Sequence, residues 1–237
     1  MSVVFVTGAG TDIGKTYVSA ALIRARRAAG RSVLALKPVA SGMPDAPSDP
    51  AFSASDTAVL LAAQGLPITP ETVAACTPWR FEAPLSPDMA ARAQGRSIRL
   101  GEVVDWCRAR LAATPPETDV LIEGVGGVMS PVAEDGVVLD WIAALGVPAL
   151  LVCGSYLGAI SHALTAVEAL RGRAVPIAGL ILNESVDAGV DFEATAETLH
   201  RFSRLPVTRV RRSGAFEGVS PGWEGAAFSS LEEFGVA

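Results

Sequence analysis

The sequence predicts a doubly wound α/β fold, in which helices cover both faces of a mostly parallel sheet within a single domain spanning residues 1–237. Half of the residues are hydrophobic and 19% are charged, so the chain can bury a substantial core. Short runs rich in Val, Ile and Leu alternate with helical stretches, which is the order of βαβ units. These runs are apolar at nearly every position, as in parallel strands buried on both faces.

The elements follow in chain order. The first strand is predicted at residues 3–7, and a helix begins at about Lys15. Further strands are predicted at residues 32–38, 120–124, 148–153 and 177–182. Residues 43–55 are rich in Pro, Ser and Asp and predict a loop before a helix that starts near Asp56, while Ser86 and Pro87 are typical of another helix start. Ligands of such folds bind at the carboxyl ends of the strands.

Composition excludes several classes of function. A net charge of −6 with 6% aromatic residues argues against a nucleic-acid-binding protein, which usually presents a basic face. Cys76, Cys107 and Cys153 and the two histidines show neither disulfide nor zinc-site spacing, so a reducing cytoplasmic setting is expected. The first residues enter an apolar strand without the basic region of a secretory signal.

One uncharged stretch, residues 141–167, is long enough to cross a bilayer. Gly146, Pro148, Gly154 and Gly158 divide it into a helix end, a short strand, a turn and a second helix. We therefore expect it to form part of the buried sheet and its cover, with no membrane association.

The strongest motif is the glycine-rich segment GAGTDIGKT, Gly8 to Thr16, which lies between the first strand and the first helix. Glycines allow backbone N–H groups to surround an anion, and the helix N-terminus adds partial positive charge. Lys15 would reach the β and γ phosphates, and the Thr16 hydroxyl would bind Mg²⁺. Five residues separate Gly8 from Gly14, one more than in the strict motif, so an ordinary strand-to-helix turn is the alternative.

Two carboxylates are candidate metal ligands. Glu123 ends the predicted strand in VLIEGVGG, and Asp56 begins the helix after the Pro-rich loop. Each could instead serve as an ordinary helix cap or a solvated turn residue. Beside a phosphate loop, binding of a nucleotide-associated metal is the preferred interpretation of Glu123.

Lys15 and Lys37 are the two lysines of the chain, and Arg supplies its other positive charge. Lys37 ends a strand in LALKPVASG, at the edge where ligands bind. An ammonium group is a compact point charge, whereas a guanidinium is a planar group with several donors. We therefore expect each lysine to have a specific role at the ligand site. A solvated strand-end lysine is the alternative for Lys37.

Together these motifs resemble dethiobiotin synthetase, an ATP-dependent carboxylase family with a P-loop NTPase fold. The resemblance covers nearly the whole chain through GAGTDIGKT, KPVASG, SDTAVLL, EGVGGVMSPV, GSYLGAISHALTA and ILNE. The combination of the widened glycine spacing with KPVxSG and EGxGG is specific to that family.

The resemblance implies a role for each matching residue. For ATP it implies contacts from Asp12, Ile13, Gly14, Lys15, Thr16, Tyr17, Asp56, Glu123, Gly124, Val125, Gly126, Asn183 and Glu184, with Asn183 and Glu184 at the adenine. Mg²⁺ would be bound by Thr16, Asp56 and Glu123. Lys37, Lys15 and Thr11 would be catalytic, and the substrate would contact Ser41, Lys37, Thr11, Leu151, Gly154 and Ser161.

The family reaction inserts CO₂, derived from bicarbonate, between the two amines of 7,8-diaminononanoate and cleaves ATP to ADP and phosphate. The resemblance also implies a homodimer, with the tail of the substrate reaching the subunit interface. Two alternatives stay open. A partitioning-type switch ATPase would carry a second lysine where this chain has Ala9 and Gly10, and a synthetase of the cobyrinic acid amidation type would need an additional amidotransferase domain.

Overall fold

Among the residues that the structure describes, seven strands form one central sheet. The computed structural model describes residues 1–186, 189–212 and 216–217. Along the sheet, the strands follow the order β11-β10-β9-β8-β1-β5-β2, and all neighbours are parallel except the β10–β11 pair. The strands of this sheet are β1 (Val3–Gly8), β2 (Val33–Leu36), β5 (Asp119–Glu123), β8 (Ala149–Gly154), β9 (Ile177–Asn183), β10 (Val207–Val210) and β11 (Phe216–Glu217).

Two small pairs of strands lie outside this sheet. They are β3 (Val39–Ser41) with β4 (Trp79–Phe81), which are parallel, and β6 (Pro131–Ala133) with β7 (Gly136–Val137), which are antiparallel. The helices are α1 (Lys15–Ala28), α2 (Asp56–Gln64), α3 (Pro70–Cys76), α4 (Pro87–Ala93), α5 (Leu100–Ala112), α6 (Val138–Leu145), α7 (Ala159–Gly172) and α8 (Phe192–Ser203). A 3-10 helix spans Pro50–Ala54.

Helices cover both faces of the sheet. On one face, alternate residues of β1 such as Val4 and Val6 pack with α1 and α2. On the other face, Phe5 packs edge-on against Trp141, with ring centroids 4.8 Å apart, in a cluster that includes side chains of α5 to α8. All six residues of β1 are buried, because strands lie on both sides of it and helices cover both faces. The predicted doubly wound, mostly parallel α/β fold is confirmed.

The parallel strands bring distant parts of the sequence to one edge. β1 pairs with β5 and β8, so the loops after Gly8, Glu123 and Gly154 leave the sheet side by side. Asn183 ends β9 beside Gly154, in the same register. The carboxyl edge of the sheet therefore gathers the glycine-rich segment, a carboxylate and an amide.

Some local predictions need refinement. The segment 43–55 contains the 3-10 helix, begun by Asp49, whose carboxylate accepts the Ala51 N–H at 2.8 Å. Residues 69–80, for which no element was predicted, form α3 and part of β4. The uncharged stretch 141–167 divides as expected between α6, β8 and α7, and no helix among the described residues has the length and apolar character to cross a membrane.

Candidate active site

The glycine-rich segment connects β1 to α1 as a closed loop. Lys15 is buried, and its side chain folds back across the loop so that Nζ donates to the Gly10 carbonyl at 3.0 Å. Asp12 and Gly14 both have positive φ, 56° and 87°. A Cβ atom on Gly14 would lie 2.1 Å from Asn183 Nδ2, so this position requires glycine. The segment therefore has the closed shape of a phosphate loop.

Four polar side chains meet beside this loop. Lys37 Nζ lies 2.7 Å from Glu123 Oε1 and 2.8 Å from Asp56 Oδ2, and it also donates to the Gly124 carbonyl at 3.1 Å. The Thr16 hydroxyl donates to the same Glu123 Oε1 at 2.7 Å. These contacts use all three N–H donors of Lys37. The site thus joins α1, the end of β2, α2 and β5, and Glu123 at its centre is fully buried.

Local structure positions Lys37 and Asp56 at this site. Lys37 follows β2, where its backbone N–H donates to the Cys76 carbonyl at 3.1 Å as the chain turns toward β3. Asp56 is the first residue of α2, whose N-cap is Ser55. Ser55 Oγ accepts the Ala58 N–H, so the Asp56 carboxylate is not used as the cap and faces Lys37 instead. The alternative of an ordinary N-cap is therefore wrong for Asp56.

The charges in this cluster shift the pKa of its members. Burial lowers the pKa of Lys15 to about 8, and the neighbouring Lys37 cation adds to this effect. For Lys37, burial opposes the charge, but Glu123 and Asp56 outweigh it and raise the pKa above its ordinary value. Burial also opposes ionisation of Asp56, whose pKa is nevertheless lowered by Lys37. Lys37 and Asp56 are consequently charged at neutral pH.

The oxygen atoms at this site fit a magnesium ion. Thr16, Asp56 and Glu123 offer a hydroxyl and two carboxylates, which are hard oxygen ligands. Glu123 Oε2 is buried and has no hydrogen-bond partner among the described residues, so one carboxylate oxygen remains available. No group of three or more His, Cys, Asp and Glu side chains suited to a metal occurs in the described part of the chain. A pair of carboxylates suits Mg²⁺, which usually keeps waters and phosphate oxygens as its other ligands.

A second glycine-rich turn packs against the phosphate loop. Gly124, Val125 and Gly126 follow Glu123 directly, and the Val128 N–H donates to the Gly8 carbonyl at 3.0 Å. The Ser130 hydroxyl accepts the Gly127 N–H at 2.7 Å and fixes the turn. Sequence reasoning missed Ser130, although Ser close to glycines is typical of turns.

The residues predicted at the adenine lie at the ends of β9 and β10. Asn183 Nδ2 donates to the Ile13 carbonyl at 2.9 Å, which joins the strand end to the phosphate loop. The Glu184 carboxylate accepts the Arg212 N–H at 2.9 Å and so holds the chain after β10. No role was predicted for the segment 205–214, and its last two residues, 213 and 214, lie outside the described residues.

A cavity of about 480 Å³ adjoins the phosphate loop on the side of α7. Its lining includes Thr11, Gly127, Met129, His162 and Thr165, and it is mostly apolar. This volume is typical of small-molecule sites. The sequence predicted Thr11 here, but it did not predict the other four.

The other predicted substrate contacts are not all brought together. Ser41 ends β3, and its hydroxyl donates to the Leu85 carbonyl at 2.6 Å, so toward a ligand it can act as an acceptor. Gly154 ends β8, and Ser161 is exposed in the first turn of α7. Leu151 is fully buried in the core, so its side chain cannot contact a substrate. Tyr17 is 41% exposed at the start of α1.

Sequence reasoning also missed a contact at the start of α7. The Tyr156 hydroxyl and His162 Nδ1 lie 2.9 Å apart and form a hydrogen bond. His162 lines the cavity, so this pair fixes one of its walls. The spacing of six residues across a glycine gave no periodic signal that could have revealed the pair.

Comparison with solved structures supports the fold assignment. The chain is similar to the MinC:MinD cell division complex of Aquifex aeolicus, with a TM-score of 0.53 and 10% identity over 99% of this chain and 89% of that one. It is also similar to a ParA family ATPase of Chlorobium tepidum, with a TM-score of 0.52 and 14% identity over 100% and 94% of the two chains. At such low identity these likenesses concern the fold alone.

Sequence comparison identifies the family. A family model described as an AAA domain matches residues 2–210. The ATP-dependent dethiobiotin synthetase BioD of Methylobacterium nodulans is 59% identical over 216 residues, 91% of this chain and 96% of the relative. The BioD of Acidiphilium cryptum is 49% identical over 205 residues, 85% of this chain and 88% of the relative. Because the identity extends over most of this chain and of each relative, the chain belongs to the family of ATP-dependent dethiobiotin synthetases.

Proposed function

We propose that this enzyme inserts CO₂ between the two amines of 7,8-diaminononanoate and closes the cyclic urea of dethiobiotin, with ATP cleaved to ADP and phosphate. The observation that carries the proposal is the meeting of four side chains beside the phosphate loop that Lys15 crosses. They are Thr16, Lys37, Asp56 and Glu123. Family membership supplies the reaction, and this cluster supplies the groups that it requires.

We assign the phosphates of ATP to the loop from Asp12 to Thr16 and to Lys15. Lys15 already lies across the loop, bonded to the Gly10 carbonyl, and can exchange that bond for a phosphate oxygen. Thr16, Asp56 and Glu123 would hold Mg²⁺. When bound, the ion would neutralise charge on the phosphates and stabilise the leaving group. We assign the adenine to Asn183 and Glu184, since Asn183 ends β9 beside the loop and Glu184 follows it.

The protein can favour the first chemical step through its charges. An amine must be neutral to attack CO₂. With the carboxylates of Asp56 and Glu123 engaged by Mg²⁺, the nearby cations Lys15 and Lys37 would lower the pKa of an amine that enters the site. The product of that attack is a carbamate anion. Lys37 can donate to it, while the Ser41 oxygen accepts an N–H of the substrate, since its own proton is bonded to Leu85.

The later steps require close positioning more than additional chemistry. A carbamate oxygen attacks the γ-phosphorus, ADP leaves, and the resulting carbamic-phosphoric anhydride is closed by the second amine as phosphate departs. Lys15 stabilises the charge that develops on the phosphates, and Thr11 lies at the end of the cavity nearest the loop.

For the remainder of the substrate we propose the cavity of about 480 Å³, whose apolar lining suits an aliphatic chain. We also propose a homodimer in which this region lies near the subunit interface. Met129 and Leu157 support this arrangement, because both are large apolar side chains that are more than half exposed near the cavity and α7. A single domain over residues 1–237 and a cytoplasmic setting remain part of the proposal, the latter supported by three buried, unpaired cysteines.

The test is phosphate release from ATP with Mg²⁺ and bicarbonate, with and without 7,8-diaminononanoate, followed by mass analysis of the product. Diamine-dependent release with formation of the cyclic urea is the expected result. Release without the diamine would instead indicate a switch ATPase, and absence of any cyclic urea would contradict the proposal. Omission of Mg²⁺ and its replacement by Mn²⁺ test the metal assignment in the same assay.

A further inference from the structure

Asn183 connects the far strands of the sheet to the phosphate loop. It ends β9, where it pairs with Gly154 of β8 on one side and with Val210 of β10 on the other. Strand pairing therefore fixes its backbone on both sides. From this position its side-chain amide crosses to the phosphate loop and donates to the Ile13 carbonyl at 2.9 Å.

This bond sets the orientation of one peptide group of the loop. No cis peptide bond occurs in the described part of the chain, so the Ile13–Gly14 peptide is trans. In a planar trans peptide the C=O and N–H groups point in opposite directions. The Gly14 N–H consequently points away from Asn183, and backbone N–H groups are the groups with which such loops bind phosphates.

The adjoining residues show why such a bond is needed. Ile13 is anchored by its buried side chain, but Gly14 has a φ of 87° and no Cβ atom, so little else restricts rotation of the peptide between them. The amide nitrogen of Asn183 would be 2.1 Å from a Cβ on Gly14, which shows how closely the amide meets the loop backbone. The Gly14 carbonyl accepts the Val18 N–H at 3.0 Å and thereby begins α1.

We propose that Asn183 is a positioning residue for the phosphate loop: its amide holds the Ile13 carbonyl so that the Gly14 N–H faces the phosphates. This inference rests on the proposed ATP site and extends it. An amide that also contacts adenine through its oxygen would connect recognition of the base to the orientation of the loop, because one planar group carries both donor and acceptor.

The test separates phosphate binding from base binding by using tripolyphosphate, which has no base. Binding of magnesium tripolyphosphate and of Mg²⁺-ATP is measured by titration calorimetry for the unaltered enzyme, Asn183→Ala and Asn183→Asp. We expect Asn183→Ala to bind tripolyphosphate about fivefold more weakly, the typical effect of one lost hydrogen bond. Asn183→Asp should be weaker still, because a carboxylate repels the Ile13 carbonyl and the phosphates.

A matched control is Ser185→Ala. Ser185 exchanges two hydrogen bonds with Ser155, at 2.9 and 3.0 Å, and so joins the ends of β9 and β8 without contact to the loop. This variant should lose stability but keep the affinity for tripolyphosphate. If it loses affinity equally, the effect of Asn183 is a general loosening of the sheet edge, and the inference fails.

Spectroscopy gives a second measurement. In enzyme labelled with [¹⁵N]glycine, the Gly14 amide signal should shift on addition of tripolyphosphate, and in Asn183→Ala the same shift should need a higher concentration. Unchanged tripolyphosphate binding with weakened ATP binding would show that Asn183 serves the base alone. If the unaltered enzyme binds ATP but does not bind tripolyphosphate at millimolar concentration, the inference that Asn183 holds the loop ready for phosphates also fails.

The two proposals can fail separately. Diamine-dependent phosphate release by the unaltered enzyme tests the proposed function, and it needs no variant. If Asn183→Ala does not fold, Asn183→Ser replaces it, since its hydroxyl is too short to reach the Ile13 carbonyl from the same backbone position. Loss of tripolyphosphate affinity in an enzyme that makes no cyclic urea would uphold the role in the loop and refute the reaction.

Discussion

Replacing Glu123 by Gln removes one negative charge from a buried cluster while keeping its shape. The cluster contains the cations Lys15 and Lys37 and the carboxylates Asp56 and Glu123, so it is balanced in the free enzyme. A Gln oxygen can still accept from Thr16 and Lys37, but the bonds are no longer assisted by charge. The change therefore isolates the electrostatic contribution of Glu123 from its contribution to packing.

The expected loss of stability follows from these contacts. Removing the partner of a buried ion pair costs about 3–5 kcal/mol when the remaining charge is left uncompensated. Lys37 retains Asp56 at 2.8 Å, but that carboxylate is 46% exposed and compensates it incompletely. We expect Glu123→Gln to lower the free energy of unfolding by about 2 kcal/mol, or Tm by about 4–8 °C for a chain of this size.

Thermal unfolding without ligands measures this effect, and Glu134→Gln is the control. Glu134 contacts Arg99 at 3.1 Å on the surface, where such pairs contribute about 0–1 kcal/mol. Calorimetric titration adds a second expectation: with EDTA present, Glu123→Gln should bind ATP at least as tightly as the unaltered enzyme, because the site has gained net positive charge. A Tm equal to that of Glu134→Gln, or weaker binding of metal-free ATP, would refute the charge-balance argument.

Three further predictions concern single residues. Lys37→Gln should abolish cyclic urea formation, with the affinity for Mg²⁺-ATP changed less than about threefold, since Mg²⁺ would offset the two carboxylates that Lys37 no longer pairs. Equal loss of both would contradict a role at the carbamate. The pKa of Lys15 is about 8, and a bound triphosphate raises it. Above pH 8, ATP binding should therefore take up a proton, and the affinity for ATP should fall as pH rises toward 10. Calorimetry in buffers of different ionisation enthalpy measures this proton uptake, which Lys15→Arg should lack. Gly14→Ala should prevent ATP binding because the added Cβ would clash with Asn183. The control is Gly30→Ala, which has a similar φ of 79° and no neighbour within 4 Å, and which should affect only stability. Binding titration and thermal unfolding compare the two variants.

The fold and the centre of the site could be predicted because they depend on local sequence. Apolar strands, the loop from Gly8 to Thr16 and the strand ends at Lys37 and Glu123 follow from hydrophobic runs and glycine positions. Parallel pairing then brings the strand ends to one edge, whichever strands are neighbours. The position of the cluster could therefore be predicted without any knowledge of strand order.

The remainder depends on tertiary contacts that local patterns do not encode. Ser130 and His162 were missed because each acts through a partner or a cavity formed by separate segments. Leu151 was assigned to the substrate by its position in a motif, but the pleat of β8 directs its side chain into the core. Neither a hydroxyl in a turn nor a leucine in a strand shows from sequence alone which group it will face.

The contacts of Lys37 constrain how substrate can reach it. Its three donors are bonded to Glu123, Asp56 and Gly124, so donation to a carbamate requires that one of these bonds be exchanged. Glu123 and the Gly124 carbonyl are held by β5 and the adjoining turn, and Glu123 is fully buried. Asp56 begins α2 and is 46% exposed, which makes it the partner that solvent can replace at least cost. In the proposed reaction, Lys37 would therefore meet the substrate from the side of α2, and Asp56 would be the partner it releases.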